Sequence, residues 1–371
     1  MGLSKKLDRI CKGCEGEMVK QVSVNHPFFR HIDFTTISNK VYLNKCSECQ
    51  IISNPDAVAN GTPTFETKIY AASRQTEHTI KVDEFPEPVT RSFLQAKILA
   101  DNIIQHDQPK ILDIGCFDGR LLLELDDLLV DAHFWGFDIN PYLKALFPDK
   151  DNFHFLSSTL DELDTSFDLI IMSHSILYIP DLSKLMLAIN KLLKSEGILF
   201  IQIPDIRKNP FYTLMGDQCY IFTEYSLKNV LQHYCFSSSR IYNEHFSQEL
   251  LFLTKKNKTS ITESFKLDTT IGHNIEILEN KRGKLLNISG SKLSVLGTTV
   301  NAAYVDEVLQ ERILFFLDEN PTKAGTTFRG KQVLYPKQLT QNHHTILPYG
   351  KSGYMIEKRF KSLYQGLFTV V

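Results

Sequence analysis

Four cysteines in two matched pairs are the first residues whose types and spacing suggest chemistry. Cys11 and Cys14 form one C-x-x-C turn, and Cys46 and Cys49 form a second. Such a turn lets two thiolates reach one metal ion. Two of them complete a tetrahedral set of four thiolates, closed to further ligands and therefore structural. The second pair follows a strand-like stretch, Lys40 to Leu43, as in a ribbon whose knuckles cap hairpins. The first pair holds Gly13 and runs into Glu15 and Gly16, which also read as a turn. A redox pair or free thiols are the alternatives, but two matched pairs are more specific than one. The spacing predicts Zn2+ on Cys11, Cys14, Cys46 and Cys49. Cys116, Cys219 and Cys235 are scattered and read as ordinary thiols. Zinc alone does not name a function.

A second constellation lies in the middle of the chain. Residues 110–122 read K-I-L-D-I-G-C-F-D-G-R-L-L. Ile111 to Ile114 has a short buried-strand pattern, Gly115 and Gly119 frame a turn, and Leu121 to Leu129 reads as a helix. Glycines let a ligand approach the backbone closely, and Asp113 and Asp118 offer carboxylates to its polar groups. About twenty residues on, Phe134 to Asp138 reads as a second strand ending in an acid, which suits hydrogen bonding to ribose hydroxyls.

These residues need elements to hold them. Helical apolar spacing covers 94–107. Further strands are expected at 153–156, 167–172 and 198–203, with a helix over 182–193. Strands alternating with helices indicate a doubly wound parallel sheet, and ligands bind at its carboxyl ends. His174 and Tyr178 follow the fourth strand about one helical turn apart. They are candidates for a base, or for packing.

The order L-D-I-G-C-x-D-G-x-L, G-x-D-I-N and F-D-L-I-x-x-x-H resembles the class I S-adenosylmethionine-dependent methyltransferases, over roughly residues 94–250. The resemblance implies that Asp113, Gly115, Cys116 and Gly119 hold the methionine end of S-adenosylmethionine. It implies that Asp138 binds the ribose, with Ile139 beside the adenine and Thr159 and Leu160 near its edge. Ser173 and His174 would close the sulfonium side. A zinc-binding start, a methyltransferase core and a last α/β module also resemble bacterial sugar methyltransferases, best known as nucleotide-sugar C-methyltransferases. Residues 293–302 (L-S-V-L-G-T-T-V-N-A), 313–325 (I-L-F-F-L-D-E-N-P-T-K-A-G) and 345–350 (T-I-L-P-Y-G) carry that likeness. The implied fold is α/β. It has a Rossmann-like core with a mostly parallel seven-stranded sheet, an N-terminal zinc ribbon and a C-terminal Rossmann-like module. The expected boundaries are 1–60, a connecting segment 61–93, the core at 94–254 and the last module at 255–371. Tyr70 is a further candidate for substrate contact. No internal sequence repeat is expected.

Two departures from that family shape the functional expectation. Its C-terminal turn is G-A-G-x-x-G, whereas this chain keeps only Gly297, which argues against a phosphate there. The family carries E-H-x-x-Y-F after the fifth strand, and this chain has D-Q-C-Y-I-F at 217–222. The Gln218 amide does not titrate usefully, so it is no base. O- or N-methylation is therefore favoured over C-methylation. Asp217, Tyr220 and Tyr178 are the substitutes for the missing histidine, with Gln218 beside them.

Composition bounds the rest. The 371 residues are 43% hydrophobic and 23% charged, with a net charge of −2, which excludes disordered and low-complexity classes. Residues 255–371 carry +7 and the remainder −9, so the near-zero total is a cancellation. The charge reads as docking between modules or as a basic wall for an anionic substrate. A near-neutral chain is a poor general nucleic-acid binder. No apolar run reaches a membrane span, and no secretory h-region opens the chain, so a cytoplasmic protein is expected. The expected partner is a small molecule, an activated or phosphorylated sugar. The rivals are a non-catalytic scaffold on the same folds and a zinc-containing RNA methyltransferase. Oligomeric state is left open.

Overall fold

The computed structural model describes residues 10–60, 79–80, 84–102, 107–257, 267–340 and 343–371. Tyr70 lies outside the described residues, as do Ile103 and Ile104. The chain divides into two compact units. One takes the described residues of Met1–Val22, Leu43–Lys208 and Gln218–Asp268, and the other those of Ser23–Tyr42, Asn209–Asp217 and Thr269–Val371. The expectation was of successive modules, but the units interleave along the chain. The reason is local. The strands β1 (Met18–Val24) and β2 (Val41–Cys46) both run across a unit boundary.

In the first unit β1 and β2 join β3 (Ile52–Ser53) in a small sheet. The larger sheet follows. Helix α1 (Arg91–Asn102) precedes β4 (Lys110–Ile114), and α2 (Arg120–Asp126) leads to β5 (His133–Phe137). Then come β6 (Phe153–Leu156), β7 (Phe167–Ser173), α3 (Leu182–Leu192) and β8 (Leu193–Pro204). The short β9 (Tyr220–Ile221) and α4 (Glu224–His233) precede β10 (Phe236–Ile241) and β11 (Glu249–Lys256).

Seven strands pair in the order β6-β5-β4-β7-β8-β11-β10. The first five run parallel, and β11 and β10 add antiparallel pairs at one side. This is the expected Rossmann-like, mostly parallel seven-stranded core. The central strands are buried on both faces, so they read as continuous apolar runs. β7 buries all of Phe167 to Met172, and β8 buries Ile198 to Ile203. Strand order reverses beside β4, between β5 and β7. In open α/β sheets ligands bind at such a switch point, outside the carboxyl ends of the strands.

The four cysteines expected to form a zinc ribbon do not sit in a separate body. Cys11, Cys14, Cys46 and Cys49 share one apolar cluster with Ile170 and Leu199 of the large sheet and Leu227 and Val230 of α4. β9 pairs with β3, so a strand from after the fifth strand of the core closes the small sheet.

The second unit holds α5 (Thr270–Leu286), β12 (Leu293–Leu296), α6 (Val300–Leu309) and β13 (Ile313–Leu317). It continues with β14 (Thr327–Phe328), β15 (Lys331–Leu334), β16 (His344–Leu347), α7 (Lys351–Leu363) and β17 (Leu367–Val370). The sheet order is β14-β15-β13-β12-β16-β17, parallel except at β14. The expected C-terminal Rossmann-like module is present.

Phe200 sits fully buried in β8. Phe200→Ala is expected to lower the unfolding free energy by about 3–5 kcal/mol, read from urea unfolding. A loss below about 1 kcal/mol would contradict the packing described.

Candidate functional site

The site grows from the turn after β4. The amides of Gly115 and Cys116 both donate to the Phe137 carbonyl, at 2.7 and 3.2 Å. That pins the turn to the end of β5. Gly115 has φ +85°, which L side chains rarely adopt. A Cβ there would lie 2.5 Å from the Ser175 Cβ. Gly119, at φ +75°, precedes α2, and a Cβ on it would meet the Phe147 ring. Cys116 is buried, and burial pushes its thiol well up.

Two carboxylates flank this turn. Asp138 accepts from the Asn140 amide at 2.9 Å and the Phe117 amide at 3.2 Å. Asn140 then caps the next turn, accepting from the Tyr142 amide at 3.1 Å. Asp113, near the end of β4, is 3% exposed, and its Oδ1 has no hydrogen-bond partner among the described residues. Burial, with the Asp138 charge added, pushes Asp113 up to about 7, and burial raises Asp138 as well. The buried Ser175 Oγ is also without a partner among the described residues. Buried polar atoms are ordinarily bonded, so an orphaned carboxylate oxygen and hydroxyl on either side of Gly115 mark a place for a polar ligand. The turn's amides at Gly115, Cys116 and Phe117 are already spent. Ligand recognition here falls to side chains and to close approach. Ile139 is half-buried beside Asp138. Thr159 caps a short 3-10 turn, accepting from the Asp161 amide, and Leu160 packs on the core cluster.

Ser173 ends β7, and His174 follows it directly. The His174 amide donates to the Gln202 carbonyl at 2.8 Å, and the residue adopts φ +62°. Its Nε2 lies 3.2 Å from the Glu249 Oε2 and 3.3 Å from the Arg91 Nη2. Arg91 and Gln202 donate to the same carboxylate oxygen at 2.6 and 2.5 Å. Gln95 donates to Ser173 Oγ at 2.9 Å and to Gln202 Oε1 at 2.7 Å. Arg91 and Gln95 stand one turn apart on α1, which puts both on one face. Burial alone would raise the Glu249 carboxyl, but His174 and Arg91 override it and hold it at about 2. Sequence reading missed Arg91, Gln95, Gln202 and Glu249. The available signal was a glutamine inside the apolar run of β8 and an acid opening the apolar run of β11.

The other expected base candidates separate. Gln218 donates its amide to the Tyr178 Oη at 3.2 Å, so these two meet. Tyr220 is buried, its hydroxyl donates to the Pro180 carbonyl at 2.6 Å, and burial raises it far above its ordinary value. Asp217 belongs to the second unit, where it accepts from the His31 amide at 2.8 Å. Burial pushes it up to about 6. The structure therefore brings Tyr178 and Gln218 together and leaves Asp217 and Tyr220 with other partners.

The four cysteines converge as their spacing predicts. All are buried, and one sulfur from each lies within 4.8 Å of the others. Cys11 and Cys49 Sγ are 3.7 Å apart, and Cys14 and Cys46 Sγ 3.5 Å. Zn–S bonds of about 2.3 Å in a tetrahedron place sulfurs ~3.8 Å apart, so the set fits one Zn2+. The Gly13 and Glu48 amides donate to Cys11 and Cys46 Sγ at 3.3 and 3.4 Å, as thiolate acceptors require. Hydrogen bonding among the thiols holds Cys46 and Cys14 below the ordinary value and Cys49 and Cys11 above it.

Residues 88–246 match the family model described as methyltransferase domain. The chain carries a methyltransferase domain. The match supports the expected methyltransferase enzyme, on the part of the chain that holds the Gly115 turn, Asp138 and His174. None of the curated proteins searched matches the chain. Among solved structures, a putative methyltransferase in complex with the Haloferax volcanii Trm112 activator is 14% identical. It covers 45% of this chain and 91% of its own, with a TM-score of 0.39. The glycopeptide N-methyltransferase MtfA with S-adenosylmethionine is 10% identical and covers 44% and 94%, with a TM-score of 0.38. CalS10, an amino pentose methyltransferase from Micromonospora echinaspora, is 13% identical and covers 44% and 92%, with a TM-score of 0.35. Likeness at this level says nothing of substrate.

The second unit repeats the local frame of the first. Residues 318–321 read D-E-N-P where 138–141 read D-I-N-P. The Gly297 amide donates to Leu317 at 2.7 Å, and Asp318 accepts from the Asn320 amide at 2.9 Å. This short repeat went unnoticed in the sequence, because only four residues carry it. In the second unit the carboxylate is occupied internally. Thr298 Oγ1 donates to Asp318 at 2.7 Å, and Lys323 Nζ lies 3.5 Å away.

Two expectations follow. Purified protein should hold one Zn2+ per chain by elemental analysis, and Cys46→Ser should lose it; a zinc-free wild type would refute the site. Between pH 3.8 and about 7 the folded chain keeps a proton on Asp113 that the unfolded chain has released. Unfolding free energy should therefore fall as pH rises through that window. Asp113→Asn should flatten the fall. A slope unchanged by the substitution would contradict the buried assignment.

Proposed function

We propose that the chain is an S-adenosylmethionine-dependent methyltransferase that methylates oxygen or nitrogen of a sugar or sugar-like small molecule. The observation that carries the cofactor reading is the Gly115 turn, with the unpaired Asp113 Oδ1 and Ser175 Oγ beside the Asp138 carboxylate. That donor set fits S-adenosylmethionine. Asp138 would take the ribose hydroxyls, and the Asp113 carboxylate would meet the cationic amine of the methionine end. Gly115 and Gly119 would allow the close approach, with Cys116, Ile139, Thr159 and Leu160 lining the remainder. When bound, the cofactor supplies a methyl group on a cationic sulfur that departs as a neutral thioether.

The protein's part is alignment and proton handling. Tyr178, held by the Gln218 amide, would orient the acceptor. With an amide where the related enzymes carry a histidine, carbon acidity has no base at that position, which favours an O–H or N–H acceptor. The sugar reading rests on the three-module likeness and on the basic residues 255–371, which suit an anionic substrate. The Cys11, Cys14, Cys46 and Cys49 zinc would be structural, because four thiolates leave it no open position. No helix among the described residues is long and apolar enough to cross a membrane. A cytoplasmic enzyme is part of this proposal.

Calorimetry with S-adenosylhomocysteine tests the reading. Wild type should bind one equivalent, and Asp138→Ala should bind at least about tenfold more weakly, the scale of a lost charge-assisted hydrogen bond. Equal affinity in the variant would refute the ribose assignment.

A further inference from the structure

We propose that Glu249 is a positioning residue for His174, fixing its imidazole in the Nε2–H tautomer and leaving Nδ1 to accept the proton of the methyl acceptor. The proposal rests on the methyltransferase reading above and deepens it at the end of β7. His174 sits beside the candidate cofactor turn, because the next residue, Ser175, is the one that packs on Gly115. Its ring is part exposed, and among the described residues nothing bonds Nδ1. Its Nε2 faces two groups of opposite demand. A carboxylate wants a proton from it, and a guanidinium wants a lone pair from it.

The geometry favours the carboxylate. Arg91 Nη2 is 2.6 Å from Glu249 and 3.3 Å from His174, so its short bond is spent on the acid. The Arg91 guanidinium carbon also lies 4.7 Å from the centroid of the Phe246 ring, a second contact that holds it in place. Gln202 donates to the same Glu249 oxygen, and Gln95 in turn donates to the Gln202 carbonyl oxygen, so the carboxylate cannot rotate away without breaking a chain of bonds. An ionised Glu249, its side chain 14% exposed, then takes the Nε2–H at 3.2 Å. As the acceptor gains its methyl carbon, its O–H or N–H bond breaks and an N–H bond forms at Nδ1. The resulting imidazolium charge is met by the Glu249 carboxylate. No further reactant is needed. A charge-assisted partner of this kind orients a base and stabilises the cation it becomes. Register explains why the network exists. Ser173 pairs with Gln202 and Pro204 pairs with Glu249, so three strands deliver their polar residues to one corner of the sheet.

The test uses the full chain labelled with 15N-histidine. Long-range proton–nitrogen correlation at pH 8 reports each tautomer, and the His174 signals are assigned by their loss in His174→Gln. Wild type should show a protonated Nε2 and a bare Nδ1, and Glu249→Gln should convert a large fraction to the other tautomer. A protonated Nδ1 in wild type would overturn the proposal by itself, even if the Glu249→Gln protein does not fold. Carbethoxylation by diethyl pyrocarbonate gives the second readout. S-adenosylhomocysteine at saturation, established by calorimetry, should slow modification of His174 severalfold. An unchanged rate would place the open nitrogen away from the transfer and also overturn it. Absence of cofactor-product binding in calorimetry would instead sink the functional reading and leave the tautomer result standing.

Discussion

Two backbone amides donated to one carbonyl set the geometry of the candidate site. When Gly115 and Cys116 both bond the Phe137 oxygen, the turn after β4 is fastened to the end of β5. Asp138 is then delivered under the Phe117 amide, and Asp113 is sealed beneath the turn. The arrangement brings a glycine-only turn and two acids together. Gly115 stands at a positive φ with no room for a Cβ, and two carboxylates share a dry corner. Such concentrations of unfavourable features persist where a ligand offsets them. The large parallel sheet is the frame that holds β4 and β5 in register so that the fastening can form.

The proposed acceptor side, at Tyr178 and Gln218, depends on a different constraint. β9 is only two residues long, and a two-residue strand has little stability of its own. It is held by pairing with β3 and by the Asn54 amide bonded to the Cys219 carbonyl. β3 follows directly on the second cysteine turn. The knuckles of Cys11 and Cys46 thus brace the stretch that places Gln218 against Tyr178. In this account the four-cysteine cluster belongs to the architecture of the site, which explains why its cysteines share an apolar cluster with α4 and the main sheet.

Legibility in the sequence followed how local each feature is. The four cysteines, the Gly115 turn and Asp138 were readable because each depends on spacing within a few tens of residues. The parallel strands were readable because burial on both faces leaves uninterrupted apolar runs. The interleaving of the two units was not readable, since nothing in residues 23–42 or 209–217 announces which unit they join. The polar corner around His174 was equally hidden. Arg91 and Glu249 are 158 positions apart, one opening α1 and the other opening β11, and only the tertiary fold unites them. Gln218 and Tyr220 were adjacent candidates on paper. Side-chain direction separates them, one reaching Tyr178 and the other tied to Pro180.

The repeated D-x-N-P frame sharpens the central claim, because the molecule offers two similar corners and only one with its acid open. Asp318 is filled by Thr298 and Lys323, whereas among the described residues Asp138 accepts only backbone amides. A crystal structure grown with S-adenosylhomocysteine discriminates between them most directly. The account predicts ligand at the Gly115 turn, its ribose hydroxyls on Asp138 and its amine toward Asp113. Ligand seated on Asp318 instead, or a saturated crystal with nothing at Asp138, would contradict it.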